Sequence, residues 1–100
     1  MNEALMKNYE KSLMEKVTVI HSGFGETPKA VAFVYVDKKL SENEKCEVAF
    51  MKTNSIDNAW WENENVECLI TENRRSTSSG DFVLTNEGKY KCAPVGWEKV

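Results

Sequence analysis

Two stretches decide the fold: Val17–Ile20, with the sequence VTVI, and Ala30–Asp37, with the sequence AVAFVYVD. The first consists entirely of β-branched residues, which lower helix propensity and favour a strand. The second is apolar at both odd and even positions, a pattern typical of a strand buried on both faces near the centre of a sheet. Between them, His21–Pro28 contains two glycines and a proline. These residues predict two strands joined by a loop.

Two further segments in the middle of the chain are predicted to be strands. Cys46–Thr53 places Cys46, Val48 and Phe50 on one face, and we expect it to form a hairpin with Ala30–Asp37 across a long polar connection. Asn65–Glu72 alternates between apolar and polar residues, which also favours a strand. The segment between these two, 54–64, is open to two interpretations, a short helix or an irregular crossing.

The strongest local signal is a hairpin near the C-terminus. Asp81–Thr85 and Lys89–Ala93 flank Asn86-Glu87-Gly88. Gly88 can adopt the left-handed conformation that a short hairpin loop requires. Pro94 and Gly96 then end the strand before Trp97.

The N-terminal residues predict a helix over positions 2–16. Leu5, Tyr9 and Leu13 recur every four residues and form one apolar stripe, and neither glycine nor proline interrupts it. Asn2 can cap the helix. The predicted fold class is therefore α+β: one domain over 1–100, with an N-terminal helix packed on a five- or six-stranded, mainly antiparallel sheet or small barrel formed by 17–97.

Length, charge and composition exclude several classes of protein. A chain of 100 residues and 11.4 kDa is close to the common size of one domain. Its net charge of -3 argues against a protein that coats nucleic acid, although not against a local basic site. Apolar runs are too short for a membrane-spanning helix, and the N-terminus lacks the features of a secretory signal. We therefore expect a cytoplasmic protein with no membrane association.

The cysteines and the single histidine do not predict a catalytic or metal site. Cys46, Cys68 and Cys92 lie far apart in apolar patterns, whereas zinc sites usually contain close Cys pairs. His21 stands beside a glycine-rich turn, but no motif places a thiol near it. We expect buried, reduced thiols, no metal, no cofactor and no enzymatic activity. An enzyme with an unfamiliar site around His21 is a third and weaker hypothesis.

The clearest candidate for a binding surface is acidic and contains tryptophan. Residues 40–72 have a net charge of -6, whereas both flanking regions are slightly positive. Trp60 and Trp61 are adjacent, so on an extended chain one can enter the core while the other stays at the surface. An exposed tryptophan framed by polar residues is typical of a protein–protein contact. The predicted partner-binding residues are Trp60, Trp61, Glu62, Glu64, Glu67 and Asp57.

An alternative site is basic. Arg74 and Arg75 are the only arginines, and they open a loop rich in serine and threonine. Arginine recognises phosphate and carboxylate groups in a bidentate manner. The residues predicted to bind a small anionic ligand, a nucleotide or a nucleic acid on a β surface are Arg74, Arg75, Lys89, Tyr90 and Lys91.

These features favour a small binding protein. The leading hypothesis is an intracellular inhibitor or adaptor that docks through its acidic surface on a protein partner with a basic surface. Lysine outnumbers arginine 11 to 2, a bias associated with AT-rich genomes such as those of many bacteriophages and low-GC bacteria, and a phage-encoded protein is one interpretation of it. Binding of a nucleotide or nucleic acid is the alternative. The sequence leaves the oligomeric state open.

Overall fold

A computed structural model describes residues 13–56 and 58–100. Within them, six strands form one open antiparallel sheet with the order β3-β2-β1-β4-β5-β6. The strands are β1 (Met14–His21), β2 (Lys29–Asp37), β3 (Val66–Cys68), β4 (Phe82–Thr85), β5 (Gly88–Cys92) and β6 (Trp97–Lys99). One helix, α1 (Glu42–Lys52), packs on the sheet. The α+β class and the antiparallel sheet are confirmed, and the sheet does not close into a barrel.

The predicted N-terminal position of the helix is not supported, because the one α-helix among the described residues follows β1 and β2. Positions 2–12 of the predicted helix lie outside the described residues. Positions 14–16 begin β1 instead, where Met14 pairs with Asp37 and Lys16 pairs with Tyr35. Pairing with β2 overrides the local helical pattern, since backbone hydrogen bonds to a neighbouring strand outweigh a weak propensity.

The strand predicted over Cys46–Thr53 is also wrong, because this segment belongs to α1 and its C-cap. The helix begins with a capping box: the Ser41 side chain accepts a hydrogen bond from the Glu44 amide, and the Glu44 carboxylate accepts one from the Ser41 amide. Cys46, Ala49 and Thr53 are fully buried. Their spacing of three and four residues is helical, whereas the alternation of Cys46 with every second residue suggested a strand.

The remaining strand predictions are largely confirmed. The C-terminal hairpin pairs Thr85 with Gly88 and continues to Phe82 and Lys91. The left-handed conformation expected of Gly88 is wrong, because Gly88 begins β5 and its φ is not positive. The strand predicted over Asn65–Glu72 is shorter, at Val66–Cys68. The ambiguous segment before it contains a 3-10 turn at Trp60–Glu62.

The two faces of the sheet differ in what covers them. The covered face packs against α1 and Trp60, and its valines Val17, Val19, Val34 and Val83 are completely buried. On the opposite face, which we call the open face, side chains are partly or fully exposed. By strand alternation and register the open face contains Lys16, Thr18, Ile20, Phe33, Tyr35, Glu67, Phe82, Leu84, Lys89, Lys91 and Glu98.

Candidate functional site

The tryptophan pair divides between the core and its margin. Trp60 is fully buried, and its indole Nε1 donates hydrogen bonds of 3.0 Å to the carbonyl oxygens of Arg74 and Arg75. Trp61 is half-buried and meets Trp60 edge to face, with ring centroids 5.7 Å apart. The Arg74 guanidinium lies 5.0 Å from the Trp61 ring centroid. A partner can therefore reach only Trp61, and one face of its ring already carries a cation.

The predicted acidic residues do not form one surface. Glu67 lies on the open face, where its register partner is Phe33. Glu62 belongs to the 3-10 turn that inserts Trp60 beneath the covered face. Glu64 lines a cavity of about 270 Å³ beside Met14, the first residue of β1. All three carboxylates are exposed, and Asp57 is outside the described residues.

Other acidic residues in the 40–72 region have structural partners. Glu42 accepts hydrogen bonds from Lys45 and Thr85, and Glu47 accepts one of 3.0 Å from the Trp97 indole. The Glu44 carboxylate completes the capping box of α1. Part of the negative charge that the sequence suggested for docking thus fixes the helix to the sheet.

The arginines are also occupied by contacts within the chain. Arg75 forms a bidentate pair with Asp81, at 2.7 and 2.8 Å, and its Nε donates to Glu26 at 2.9 Å. These hydrogen bonds raise the pKa of Arg75 above its usual range. Arg74 Nε donates to the carbonyl oxygen of Ile70 at 3.0 Å. Because these guanidinium donors already have acceptors within the chain, the loop has few donors left for the bidentate binding of an anion that the sequence predicted.

Asp81 organises the end of the sheet where β1 finishes. It is fully buried and accepts hydrogen bonds of 2.8 Å from the backbone amides of Ser22, Gly23 and Ser78. Burial by itself would raise the pKa of Asp81, but the bonds from Arg75 and the backbone amides outweigh it and lower the pKa to about 2. A Cβ on Gly23 would lie 2.9 Å from the Ser79 carbonyl oxygen, so only glycine fits this close approach.

His21 belongs to a buried chain of hydroxyl groups. Thr53 Oγ1 donates to the Ala49 carbonyl at 2.7 Å, so it must accept from Thr77 Oγ1, also at 2.7 Å. Thr77 in turn accepts from His21 Nε2 at 2.9 Å. Burial lowers the pKa of His21, which favours the neutral ring, although the nearby Asp81 carboxylate opposes this shift. The arrangement holds the imidazole in place. Because Nε2 donates its proton to the Thr77 hydroxyl, this nitrogen is not available as a base toward that hydroxyl.

Cys46 and Cys92 are buried, as the sequence predicted, whereas Cys68 is only partly buried. Burial raises the pKa of the Cys46 thiol to about 12, with smaller contributions from Glu42 and Glu47. Burial also raises the pKa of Cys92. A thiol with a raised pKa is a poor nucleophile and a poor metal ligand at neutral pH. Among the described residues, no group of three or more histidine, cysteine or acidic side chains could hold a metal ion.

The basic hairpin residues separate by face. Lys89 and Lys91 are exposed on the open face, whereas Tyr90 points to the covered face and packs against the core. The Lys89 ammonium lies 4.3 Å from the ring centroid of Phe82. Lys16 forms the same contact with Phe33, again at 4.3 Å. Two lysine–phenylalanine stacks therefore stand on the same face of the sheet, with β1 between their aromatic strands.

Sequence reasoning missed Phe33, Phe82 and Lys16 as site residues. The apolar run AVAFVYVD was interpreted as buried on both faces, which concealed that Phe33 and Tyr35 share one face while Val34 and Val36 share the other. The signal was the segregation of aromatic residues and valines to alternate positions. The aromatic residues of β2 become part of a larger surface only because strand pairing brings Phe82 of β4 and Lys89 of β5 to the same side of the sheet.

Comparison of the chain with protein-family models, curated proteins and solved structures gives no match. Over 13–56 and 58–100, the chain forms no helix with the length and apolar character needed to cross a membrane. The candidate site therefore depends on the geometry of the open face itself.

Proposed function

We propose that this protein binds single-stranded nucleic acid on the open face of its sheet, and that it is not an enzyme. The observation that carries the proposal is the pair of stacks, Lys16 on Phe33 and Lys89 on Phe82. Proteins that bind single strands combine aromatic rings, on which bases stack, with cations that follow the phosphates. The open face has both components within four neighbouring strands.

When a nucleic acid binds, each stacked lysine can exchange its aromatic ring for a phosphate. In the free protein each ammonium lies over an aromatic ring. A phosphate is a stronger partner for an ammonium than a ring is, because charge-assisted hydrogen bonds exceed cation–π contacts at exposed sites. Movement of the lysine to a phosphate would free the ring for a base, and stacking on a ring contributes about 1–3 kcal/mol per base.

The open face has charges of both signs: Lys16, Lys89 and Lys91 lie on its inner strands, whereas Glu67 and Glu98 lie on its edge strands. The net charge of -3 is unevenly distributed, and several acidic residues are bonded inside the fold or lie away from the open face. Lys16, Lys89 and Lys91 remain exposed on that face. Three lysine–phosphate contacts predict that the logarithm of the association constant falls with the logarithm of salt concentration with a slope of about -2, since each contact on a single strand contributes about -0.7.

The docking hypothesis from the sequence, in which acidic residues and tryptophan bind a basic protein, stays a prediction. The burial of Trp60 and the separation of Glu67 from Glu62 leave it with less support. Trp61, Glu62 and Glu64 retain exposed surface for such a partner.

The test is fluorescence anisotropy with a labelled oligothymidine. We expect the double variant Lys16→Glu/Lys89→Glu to bind at least about tenfold more weakly, because each charge-assisted bond contributes roughly 1.5 kcal/mol and a tenfold change corresponds to roughly 1.4 kcal/mol. Phe33→Ala/Phe82→Ala should also weaken binding without changing the salt slope, because the lost contacts are uncharged.

The matched control is Lys29→Glu/Lys99→Glu. It makes the same change in net charge, but Lys29 and Lys99 are exposed and their register partners lie on the covered face. The control should retain most of the affinity. Equal losses in the two double variants would show a general charge effect and contradict the site, and an absence of binding by the unaltered chain would contradict the function.

A further inference from the structure

Two exposed carboxylates lie at opposite edges of the open face. Glu67 is on the edge strand β3, with Phe33 as its register partner. Glu98 is on the other edge strand, β6, opposite Lys91. Both pairings place the carboxylates on the same side as the lysine–phenylalanine stacks. Among the described residues, neither carboxylate forms an ion pair or a hydrogen bond, so their charges are not used to hold the fold together.

We propose that Glu67 and Glu98 limit the nucleic-acid site to the four inner strands and make it short. This inference rests on the proposed function and adds the class of ligand: a single strand, held over a few nucleotides. A phosphate that passes beyond β2 or β5 meets a carboxylate, and like charges at close range repel. Between the edges, Lys16, Lys89 and Lys91 attract phosphates, so the strand is confined to the centre.

The width of the inner sheet sets the expected length of the site. The four inner strands β2, β1, β4 and β5 span three inter-strand gaps, or about 14 Å at roughly 4.8 Å each. At a stacked spacing of about 3.4 Å this distance accommodates about four nucleotides. A site of that size is at the lower end of the range of about 4–16 nucleotides for single-strand-binding modules.

Asp37 and Glu64 also border this face, at the end of the sheet where β1 begins, and both line one cavity with Met14. Asp37 ends β2 opposite Met14, and its Oδ1 accepts a hydrogen bond of 2.8 Å from the Lys39 amide. It lies at the end of a strand and not at an edge of the sheet, so it limits the site in a different direction from Glu67 and Glu98. The edge carboxylates are therefore the ones that a longer strand crossing the sheet would meet.

The test measures affinity against oligothymidine length, from about two to about twelve nucleotides. For the unaltered chain, affinity should rise to about four nucleotides and then increase only slowly. In Glu67→Lys and in Glu98→Lys the rise should continue to longer oligomers. The magnitude of the salt slope should then increase by about 0.7, the contribution of one added phosphate contact.

Glu62→Lys is the matched control because it makes the same charge change at an exposed residue of the Trp60–Glu62 turn, away from the open face. Its affinity should shift by the same factor at every oligomer length, so that its plateau stays at the same length. A thermal unfolding curve for each variant confirms that it is folded, which is expected since the three glutamates are exposed.

The outcomes separate this inference from the function on which it rests. If the unaltered chain binds but shows no plateau, or if all three variants lengthen the site equally, the boundary role of Glu67 and Glu98 is wrong while single-strand binding stands. If the unaltered chain binds no oligomer of any length, both proposals are wrong.

Discussion

The end of the sheet around Asp81 and the open face both contain charged groups, but they use these groups in opposite ways. Around Asp81, backbone amides, Arg75 and Glu26 satisfy one another, and the carboxylate is completely buried. On the open face, the ammonium groups of Lys16 and Lys89 lie over the rings of Phe33 and Phe82, and both lysines are exposed. Charged groups that satisfy one another contribute to folding, whereas exposed charges with weak partners are available to a ligand.

The same contrast explains why the paired arginines did not become the site. In the sequence they look like the strongest anion-binding feature, because arginine is otherwise absent. In the structure Arg75 is committed to Asp81 and Glu26, and Arg74 packs on Trp61. The less conspicuous lysines of β1 and β5 retain the free charge.

The largest expected effect is the loss of the Asp81 carboxylate. Asp81→Asn removes the charge that pairs with Arg75 while leaving a buried side chain among amides that need an acceptor. Breaking one partner of a buried ion pair costs about 3–5 kcal/mol, and we expect the free energy of unfolding to fall by about 3 kcal/mol. Chemical denaturation measures it.

The control for that variant is Asp37→Asn. Asp37 is exposed and accepts one backbone hydrogen bond, from Lys39. A surface substitution of this kind should change the free energy of unfolding by about 0.5 kcal/mol. Similar losses at the two positions would show that the Asp81 network is not a special source of stability.

The next effect is a loss of stability in acid. The pKa of Asp81 is lowered from 3.8 to about 2 in the folded chain, so the folded state favours the charged carboxylate. The stabilisation is fully present well above pH 3.8 and is lost as the pH falls from there toward 2. Unfolding free energies measured across this window should fall steeply, and less steeply in Asp81→Asn.

His21 should act in a separate and higher window. Its pKa is lowered from 6.5, mainly by burial, so the folded state favours the neutral imidazole. Protonation then costs stability as the pH falls below about 6.5. A decline in this range that persists in Asp81→Asn would assign it to the histidine. A flat profile in both windows would contradict the two assignments.

The smallest effect is expected on the open face. Leu84 is 43% exposed, whereas its neighbour Val83 is fully buried on the covered face. Leu84→Thr should change the free energy of unfolding by about 0.5 kcal/mol or less, because the residue stays suited to a strand. Val83→Thr should cost about 1–3 kcal/mol, because it buries a hydroxyl group in an apolar core. Thermal or chemical denaturation of the two variants compares the faces directly.

Equal costs for the two substitutions would mean that the open face also belongs to the packed interior of the folded chain. That result would remove the exposed platform on which single-strand binding depends. A clear difference, together with intact folding of Leu84→Thr, would leave the face free for a ligand.

Much of the sheet was predictable because its signals are local. Gly88 between two alternating segments predicted the β4–β5 hairpin, and β-branched residues predicted β1 from Val17 onward. The helix α1 was missed, although Ser41 and Glu44 have the spacing of a capping box and Cys46, Ala49 and Thr53 follow at helical intervals. The apolar residues of Cys46–Thr53 fit both the two-residue period of a strand and the longer period of a helix, and the prediction followed the strand period.

The candidate site was far less predictable than the fold. Lys89 and Lys91 were predicted as site residues from their charge, but Tyr90, which lies between them in the sequence, points to the covered face. Phe33 and Lys16 carry no motif, and they gain a common surface only because β1 pairs with both β2 and β4. No local pattern specifies which strands become neighbours.

The sequence by itself determined the α+β class, the alternation of strands and turns, and the uneven charge, because periodicity, glycine positions and residue counts are properties of the linear chain. Tertiary structure alone decided that Trp60 enters the core, that Arg75 pairs with Asp81, and that two lysine–phenylalanine stacks share one face. The physical reason is that strand order and packing select among locally equivalent choices by burial and hydrogen bonding between residues distant in sequence.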